Sequence, residues 1–200
     1  MVAAAAQKAS RPTPDESSII PAIAGDGSLF PIGKLEAHRK GQLHQAVSVF
    51  VFAGDALLIQ RRALDKYHCG GQWANSCCTH PHWRESAFDC AHRRLFEELG
   101  LTLDLRPCGI VDYRADVGNG LIENERVHVF RGDVARKFPV GSFNPREVMD
   151  VAWVGPAALR RQVVSLLPGH RLAGLTVGRH QRLRRRPASP AVTALLPTRG

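Results

Sequence analysis

No stretch of this 200-residue chain offers the ~18–20 consecutive apolar residues that a membrane span needs, so no spanning helix is expected. The opening segment, Met1 to Arg11, has an alanine run but lacks a basic start followed by a leucine-rich stretch, which argues against a secretory leader. Acidic residues are absent after Asp150, and so is lysine; nine arginines, from Arg160 to Arg199, carry all the charge there. Taking those nine from the 27 basic residues leaves 18, matching the 18 acids, so the net charge of +9 belongs to the last quarter alone. The overall basic balance therefore says little about what the body of the chain binds. An even cysteine count is also missing. The five cysteines (Cys69, Cys77, Cys78, Cys90, Cys108) fit free thiols in a reducing cytoplasm better than a disulfide framework.

What is present suffices for a core. The chain is 44% hydrophobic and 22% charged, with 8 Phe and 3 Trp, which suits one compact domain rather than a disordered chain. Residues 1–33, rich in Ala, Pro, Ser and Gly, read as a flexible arm. Ala46–Ala53 and Ala56–Ile59 read as paired strands around Gly54-Asp55. A helix is expected from an N-cap at Ser86, with Asp89 three residues on, to Gly100 at its C-terminal end. Phe88, Ala91, Leu95 and Leu99 form its buried stripe, and Arg93, Arg94, Glu97 and Glu98 lie opposite. Val127–Arg131 and Val151–Val154 read as short strands, with Gly118-Asn119-Gly120 as a turn.

Four groups of residues carry chemistry. In the run Trp73-Ala74-Asn75-Ser76-Cys77-Cys78-Thr79-His80-Pro81 a thiol neighbours an imidazole, the material of an activated cysteine or a metal site; a loop with two buried cysteines is the plainer alternative. Glu123 and Glu125, two apart in a strand, point to one face, either into solvent or toward a metal or shared proton. His38 and His44 add imidazoles; with His80 and the two glutamates they suffice for a closed transition-metal site, though spacing alone does not bring them together. The helix itself carries Glu85, Arg93, Glu97, Glu98 and Gly100 at the spacing of a degenerate Nudix box, with Thr79 at the first glycine and Arg94 at a glutamate. Carboxylates on one helical face hold Mg²⁺, which holds a diphosphate; an amphipathic helix with Arg94 paired to Glu98 is the alternative.

Arg61-Arg62-Ala63-Leu64-Asp65-Lys66, the Asn-Ser-x-Cys-x-His-Pro core, the degenerate box and Glu123-Asn124-Glu125 together resemble type I isopentenyl-diphosphate Δ-isomerase. The resemblance runs from Lys34 to about Trp153. It implies an α/β (α+β) class: one Nudix-like domain, residues 34–157, with a mixed sheet sandwiched between helices. It also implies conversion of isopentenyl diphosphate to dimethylallyl diphosphate by protonating and deprotonating the alkene. By the same resemblance Cys78, Glu125 and Tyr113 are catalytic, with Glu125 helping to deliver a proton and Cys78 removing one. His38, His44, His80, Glu123 and Glu125 would hold one Mn²⁺ or Zn²⁺, and Glu98 the Mg²⁺ that arrives with the diphosphate. Lys34, Arg62, Lys66 and Arg94 would grip the phosphate oxygens. A monomer acting on a small isoprenyl diphosphate is expected, with no specific nucleic-acid partner.

The pattern breaks after Trp153. The family continues with a Pro-Trp segment, whereas residues 154–200 contain no Phe, Tyr or Trp. The tail, residues 158–200, reads as a divergent lid or, the reading its composition favours, as out-of-register coding sequence from a frameshift near residues 155–165. Two other functions stay open: a Nudix hydrolase, which would want the full box, and an anion binder using Arg179 to Arg186, which lacks aromatic residues for stacking. An isomerase-like protein disabled by its tail is the remaining variant.

Overall fold

A computed structural model describes residues 18–66, 69–141 and 143–159. The elements run β1 (Ile19–Ile23), β2 (Leu29–Gly33), α1 (Lys34–Lys40), β3 (His44–Ala53), β4 (Ala56–Arg62), β5 (Trp73–Ala74), β6 (Cys77–Thr79), α2 (Ala87–Leu99), β7 (Leu105–Gly118), β8 (Leu121–Val134) and β9 (Val148–Val154). The class is α+β, with one mixed sheet and the helices α1 and α2.

β3 organises the sheet. On one side it runs parallel to β8 along its whole length, from His44 opposite Glu125 to Ala53 opposite Val134. On the other side it meets three antiparallel partners in succession: β1 at His44, β6 at residues 47–49 and β4 at residues 51–53. Alternation along β3 then sorts its side chains. Val47, Val49 and Val51 join Leu58, Cys77, Leu105 and Phe130 under Cys90, Ala91, Leu95 and Leu99 of α2, forming the main core. Ala46 turns the other way, against Val127 and Val129, and His44 and Ser48 share that opposite face.

α2 begins and ends where expected. Ser86 Oγ accepts the Asp89 N–H, and Gly100 takes the left-handed conformation with its N–H on Phe96 O. The Asp89 carboxylate accepts from the Ser86 hydroxyl, so the box closes on the side chain of its own cap. Two expectations for the helix need correction. Phe88 is half-exposed, its ring against His92 and the edge of Phe130, because in the first turn it is Ala87 and Cys90 that face the valine-rich core. Glu98 is buried rather than on the outer face.

The expected arm at residues 1–33 also changes. Residues 19–33 fold into the β1–β2 hairpin, with Ile20, Ala22, Ile32 and Ala37 closing a small core; residues 1–17 lie outside the described set. Pro21 faces Pro31 across that hairpin, so neither missing N–H breaks a pairing that the neighbouring residues complete. The expected tail, residues 158–200, lies outside the described residues from position 160 onward.

Candidate active site

The Asn75-Ser76 pair does structural work that fixes the cysteine behind it. β3 changes partner from β6 to β4 near Val49–Val51, leaving backbone groups to be satisfied. Ser76 Oγ accepts the Val51 N–H at 2.8 Å and donates to Leu58 O at 2.6 Å. Asn75 Nδ2 donates to Val49 O and Cys77 O. β6 is thereby locked to β3 in one register, Cys78 opposite Ser48. A one-residue slip would exchange the faces of Cys77 and Cys78. In the observed register Cys77 enters the core beneath α2, and Cys78 stands on the face of His44 and Glu125, its Sγ accepting from Ser48 Oγ at 3.7 Å.

A second row completes that face. Tyr113 on β7 stands opposite Glu125 on β8, and Glu125 stands opposite His44 on β3. Tyr113 Oη lies 2.7 Å from Glu125 Oε2 and 3.0 Å from Glu123 Oε2, so one phenol spans both carboxylates. His80 follows β6 and places Nε2 3.0 Å from Glu125 Oε1 and 3.1 Å from His44 Nε2. α1 supplies His38. One ligand atom from each of His38, His44, His80 and Glu125 lies within 4.8 Å of every other, from four separate parts of the chain. Glu123 shares the face of Glu125 but lies outside that group of four, turned to Tyr113.

The ring hydrogen bonds prepare these imidazoles as ligands. His38 Nδ1 donates to Lys34 O at 2.7 Å and His44 Nδ1 to Gln42 O at 2.7 Å. Each bond sets the proton on Nδ1 and leaves the Nε2 lone pair for the cluster. Burial pushes His38 down to about 4, against the pull of its bond to Lys34 O, and pushes His80 down to about 3. Both rings are therefore neutral near pH 7, the form that binds metal. Burial opposes ionisation of Glu125, but His80 at hydrogen-bond distance and the imidazole of His44 beside it outweigh it and hold the carboxyl well below its ordinary range. Three imidazoles and one carboxylate, converging in a buried site, fit a divalent transition cation.

Burial, reinforced by Glu125 and Glu123, lifts the Cys78 thiol to about 12; Arg62 pulls weakly the other way. Tyr113 is raised by burial and by the same two carboxylates. In the free chain both groups hold their protons.

The four expected phosphate-binding cations fall into two sets. Lys34, buried at the start of α1, is near enough for its charge to press on His38 and His80. Arg62 ends β4 and acts on Cys78. Lys66 and Arg94 instead converge on Glu147, which the sequence reading did not single out. Lys66 Nζ lies 2.7 Å and Arg94 Nη2 3.0 Å from Glu147 Oε2. Arg94 also pairs with Glu98 at 2.7 Å and Glu97 at 3.0 Å, and Gln60 Nε2 donates to Glu98 Oε2 at 2.7 Å. Glu98 is thus held between Gln60 and Arg94. Glu85 takes no part in this cluster; it grips Arg93 with both oxygens, at 2.6 and 2.7 Å. Glu147 left one signal in the sequence, an acid in a Pro-bearing turn before a strand.

Comparison with known proteins matches this architecture. Residues 42–171 match the NUDIX domain family. A protein named Isopentenyl-diphosphate Delta-isomerase from Dinoroseobacter shibae is 57% identical over 140 residues, covering 69% of this chain and 78% of the relative. One of the same name from Cereibacter sphaeroides is 55% identical over 139 residues, with the same shares. Among solved structures, the crystal structure of DR0079 from Deinococcus radiodurans shares the fold, with a TM-score of 0.60 at 17% identity, covering 76% of this chain and 90% of that one.

Proposed function

The chain belongs to the NUDIX domain family and, within it, to the isopentenyl-diphosphate Delta-isomerases, and from that membership we infer that it moves the double bond of isopentenyl diphosphate to give dimethylallyl diphosphate. The observation that supports this reading best is the pairing of Cys78 with Glu125 on one buried face, beside a cluster able to take a divalent cation.

The reaction adds a proton at the terminal alkene carbon and removes one from the carbon nearer the diphosphate. Its cationic intermediate would be trapped by water, so the site must be dry and its two proton carriers fixed. Cys78 Sγ holds a proton in the free chain, and Glu125 does not. One of the pair gives a proton as the other takes one, so together they finish each turnover with the count unchanged. Removal at Cys78 and delivery on the Glu125 side requires the resting proton to pass from Sγ to the Glu125 side before each turnover; Arg62 favours its departure from Sγ. Tyr113 fixes the rotation of Glu125 through Oε2, while His80 fixes Oε1.

Mn²⁺ or Zn²⁺ would be held by His38, His44, His80 and Glu125, with Glu123 completing the set, and would supply positive charge that orients and acidifies the Glu125 side. Mg²⁺ brought by the diphosphate would be met by Glu98. Lys34, Arg62, Lys66 and Arg94 would bind the phosphate oxygens. We place the reaction in the cytoplasm, a reading that five free thiols support. No helix among the described residues is long and apolar enough to cross a membrane.

The degenerate box favours isomerisation over hydrolysis. Arg94 spends its guanidinium on Glu97, Glu98 and Glu147, so a cation occupies the position where a hydrolase would place another carboxylate for a water-activating metal. The products separate the two readings. Purified chain incubated with isopentenyl diphosphate and Mg²⁺ is expected to yield an acid-labile allylic diphosphate and no inorganic phosphate. Release of phosphate with no allylic product would support the hydrolase instead.

A further inference from the structure

Backbone hydrogen bonds from α2, from the end of β4 and from within the turn itself meet at the turn before β9. Asn144 N–H donates to Glu98 O at the end of α2, Ala63 N–H donates to Glu147 O just past β4, and Glu147 N–H and Val148 N–H both donate to Asn144 O. The turn therefore ties the C-terminal end of α2 to the end of β4 by backbone hydrogen bonds alone. Arg62, the last residue of β4, pairs with Val148 immediately beyond a register shift. The loop after β4 is closed by Gly71 N–H on Arg62 O and Arg62 N–H on Gln72 O. Within that loop a Cβ on Gly70 would lie 2.5 Å from Leu64 O, so the return path allows no side chain there. Lys66 is carried on this braced loop and Arg94 on α2, two elements with no sequence proximity.

Glu147 is what joins their side chains. Its Oε2 receives Lys66 Nζ and Arg94 Nη2 together, and all three side chains are mostly covered, at 17%, 12% and 14% exposure. Two cations brought this close without an anion would repel each other and swing apart. With the shared oxygen between them they are held side by side, and Lys66 keeps further N–H donors for another anion. Glu98 Oε1 accepts from the same Arg94 nitrogen, Nη2, at 2.7 Å, so this carboxylate lies beside the pair.

We propose that Glu147 is a positioning residue for diphosphate binding: its carboxylate presets Lys66 and Arg94 as a paired cationic clamp beside Glu98. The proposal rests on the isomerase reading only for the identity of the substrate; the clamp itself would bind any magnesium diphosphate. Preset donors spare the substrate the cost of gathering them, so the effect falls on binding more than on the proton transfers at Cys78 and Glu125.

The test compares wild type with Glu147→Gln, which keeps shape and removes charge, and Glu147→Asp, which keeps charge on a shorter stem. Titration calorimetry with inorganic pyrophosphate and Mg²⁺ measures the clamp without reference to catalysis, and steady-state kinetics measure KM and kcat. Glu147→Gln is expected to weaken pyrophosphate and raise KM in parallel, roughly tenfold, with a much smaller change in kcat, as expected for losing a charge-assisted pair. Glu147→Asp should fall between the two and decides the matter if the Gln variant fails to fold. Equal or tighter pyrophosphate binding by the folded variants, or a loss confined to kcat, would overturn the proposal. A wild type that binds pyrophosphate through Glu147 yet isomerises nothing would leave the clamp standing and refute the isomerase reading.

Discussion

Cys77 and Cys78 are adjacent in the chain and stand on opposite faces of the sheet, one packed beneath α2 and the other beside Ser48 on the face of Glu125. Nothing in the two side chains distinguishes them; the register of a three-residue strand does. That register depends on Asn75 and Ser76 satisfying β3 and β4 backbone groups, which is the physical content of the Asn-Ser-x-Cys motif.

The two cysteines should therefore fail differently. Cys78→Ala is expected to lower kcat by roughly a thousandfold or more, as for loss of a positioned proton carrier, with little change in melting temperature. Cys77→Ala is expected to cost about 1–2 kcal/mol of stability through a small core cavity and to keep its turnover. Paired activity and urea-unfolding measurements check this, and similar activity loss in both would contradict the assignment of faces.

A second expectation concerns the metal. Three imidazoles and Glu125 buried together should retain a divalent cation through gel filtration, and elemental analysis should find about one per chain. A ligand held by the folded state alone stabilises it by about 2.7 kcal/mol at a hundred times its dissociation constant. Chelation should therefore lower the melting temperature of the wild type, and His44→Ala should melt low with or without chelator. A wild type whose melting ignores chelation would speak against the cluster as a metal centre.

Acid sensitivity is expected at the start of α2. Burial raises the Glu85 carboxyl, but its hydrogen bonds from Arg93 and from the His82 N–H outweigh that and leave it below its ordinary value. A carboxyl depressed on folding contributes stability that is full above its unfolded pKa of about 4.3 and is lost as pH falls through the folded value. Glu85→Gln should cost about 1–2 kcal/mol near pH 7, and its gap from wild type should close as pH drops below about 4. Unfolding curves at a series of pH values check the sign; a gap that widened in acid would contradict it.

Much of the fold was legible where local rules act alone. Ser86 and Gly100 mark the ends of α2, and Gly54 turns β3 into β4 at a φ of 60°. β8 was read only at Val127–Arg131 although it spans Leu121–Val134, because Glu123 and Glu125 put charge on the inward face and hide the alternation. The residues that disguise the strand are those of the site. β1 and β2 were missed through Pro21 and Pro31, each a breaker by itself and harmless when they face one another. The histidine cluster draws on α1, β3, the end of β6 and β8, so no spacing rule reaches it without the parallel β3–β8 register. The role of Glu147 was hidden for a similar reason: its partners lie 81 and 53 positions away, at Lys66 and Arg94.

The central claim is that Cys78 and Glu125 exchange protons with an isoprenyl diphosphate. Proton NMR of the metal-loaded chain with isopentenyl diphosphate and Mg²⁺ in D₂O tests it most directly. The account predicts deuterium in the dimethylallyl product with wild type, and none with Cys78→Ala or Glu125→Gln. Undeuterated product, or deuterated product from either variant at the wild-type rate, would contradict it.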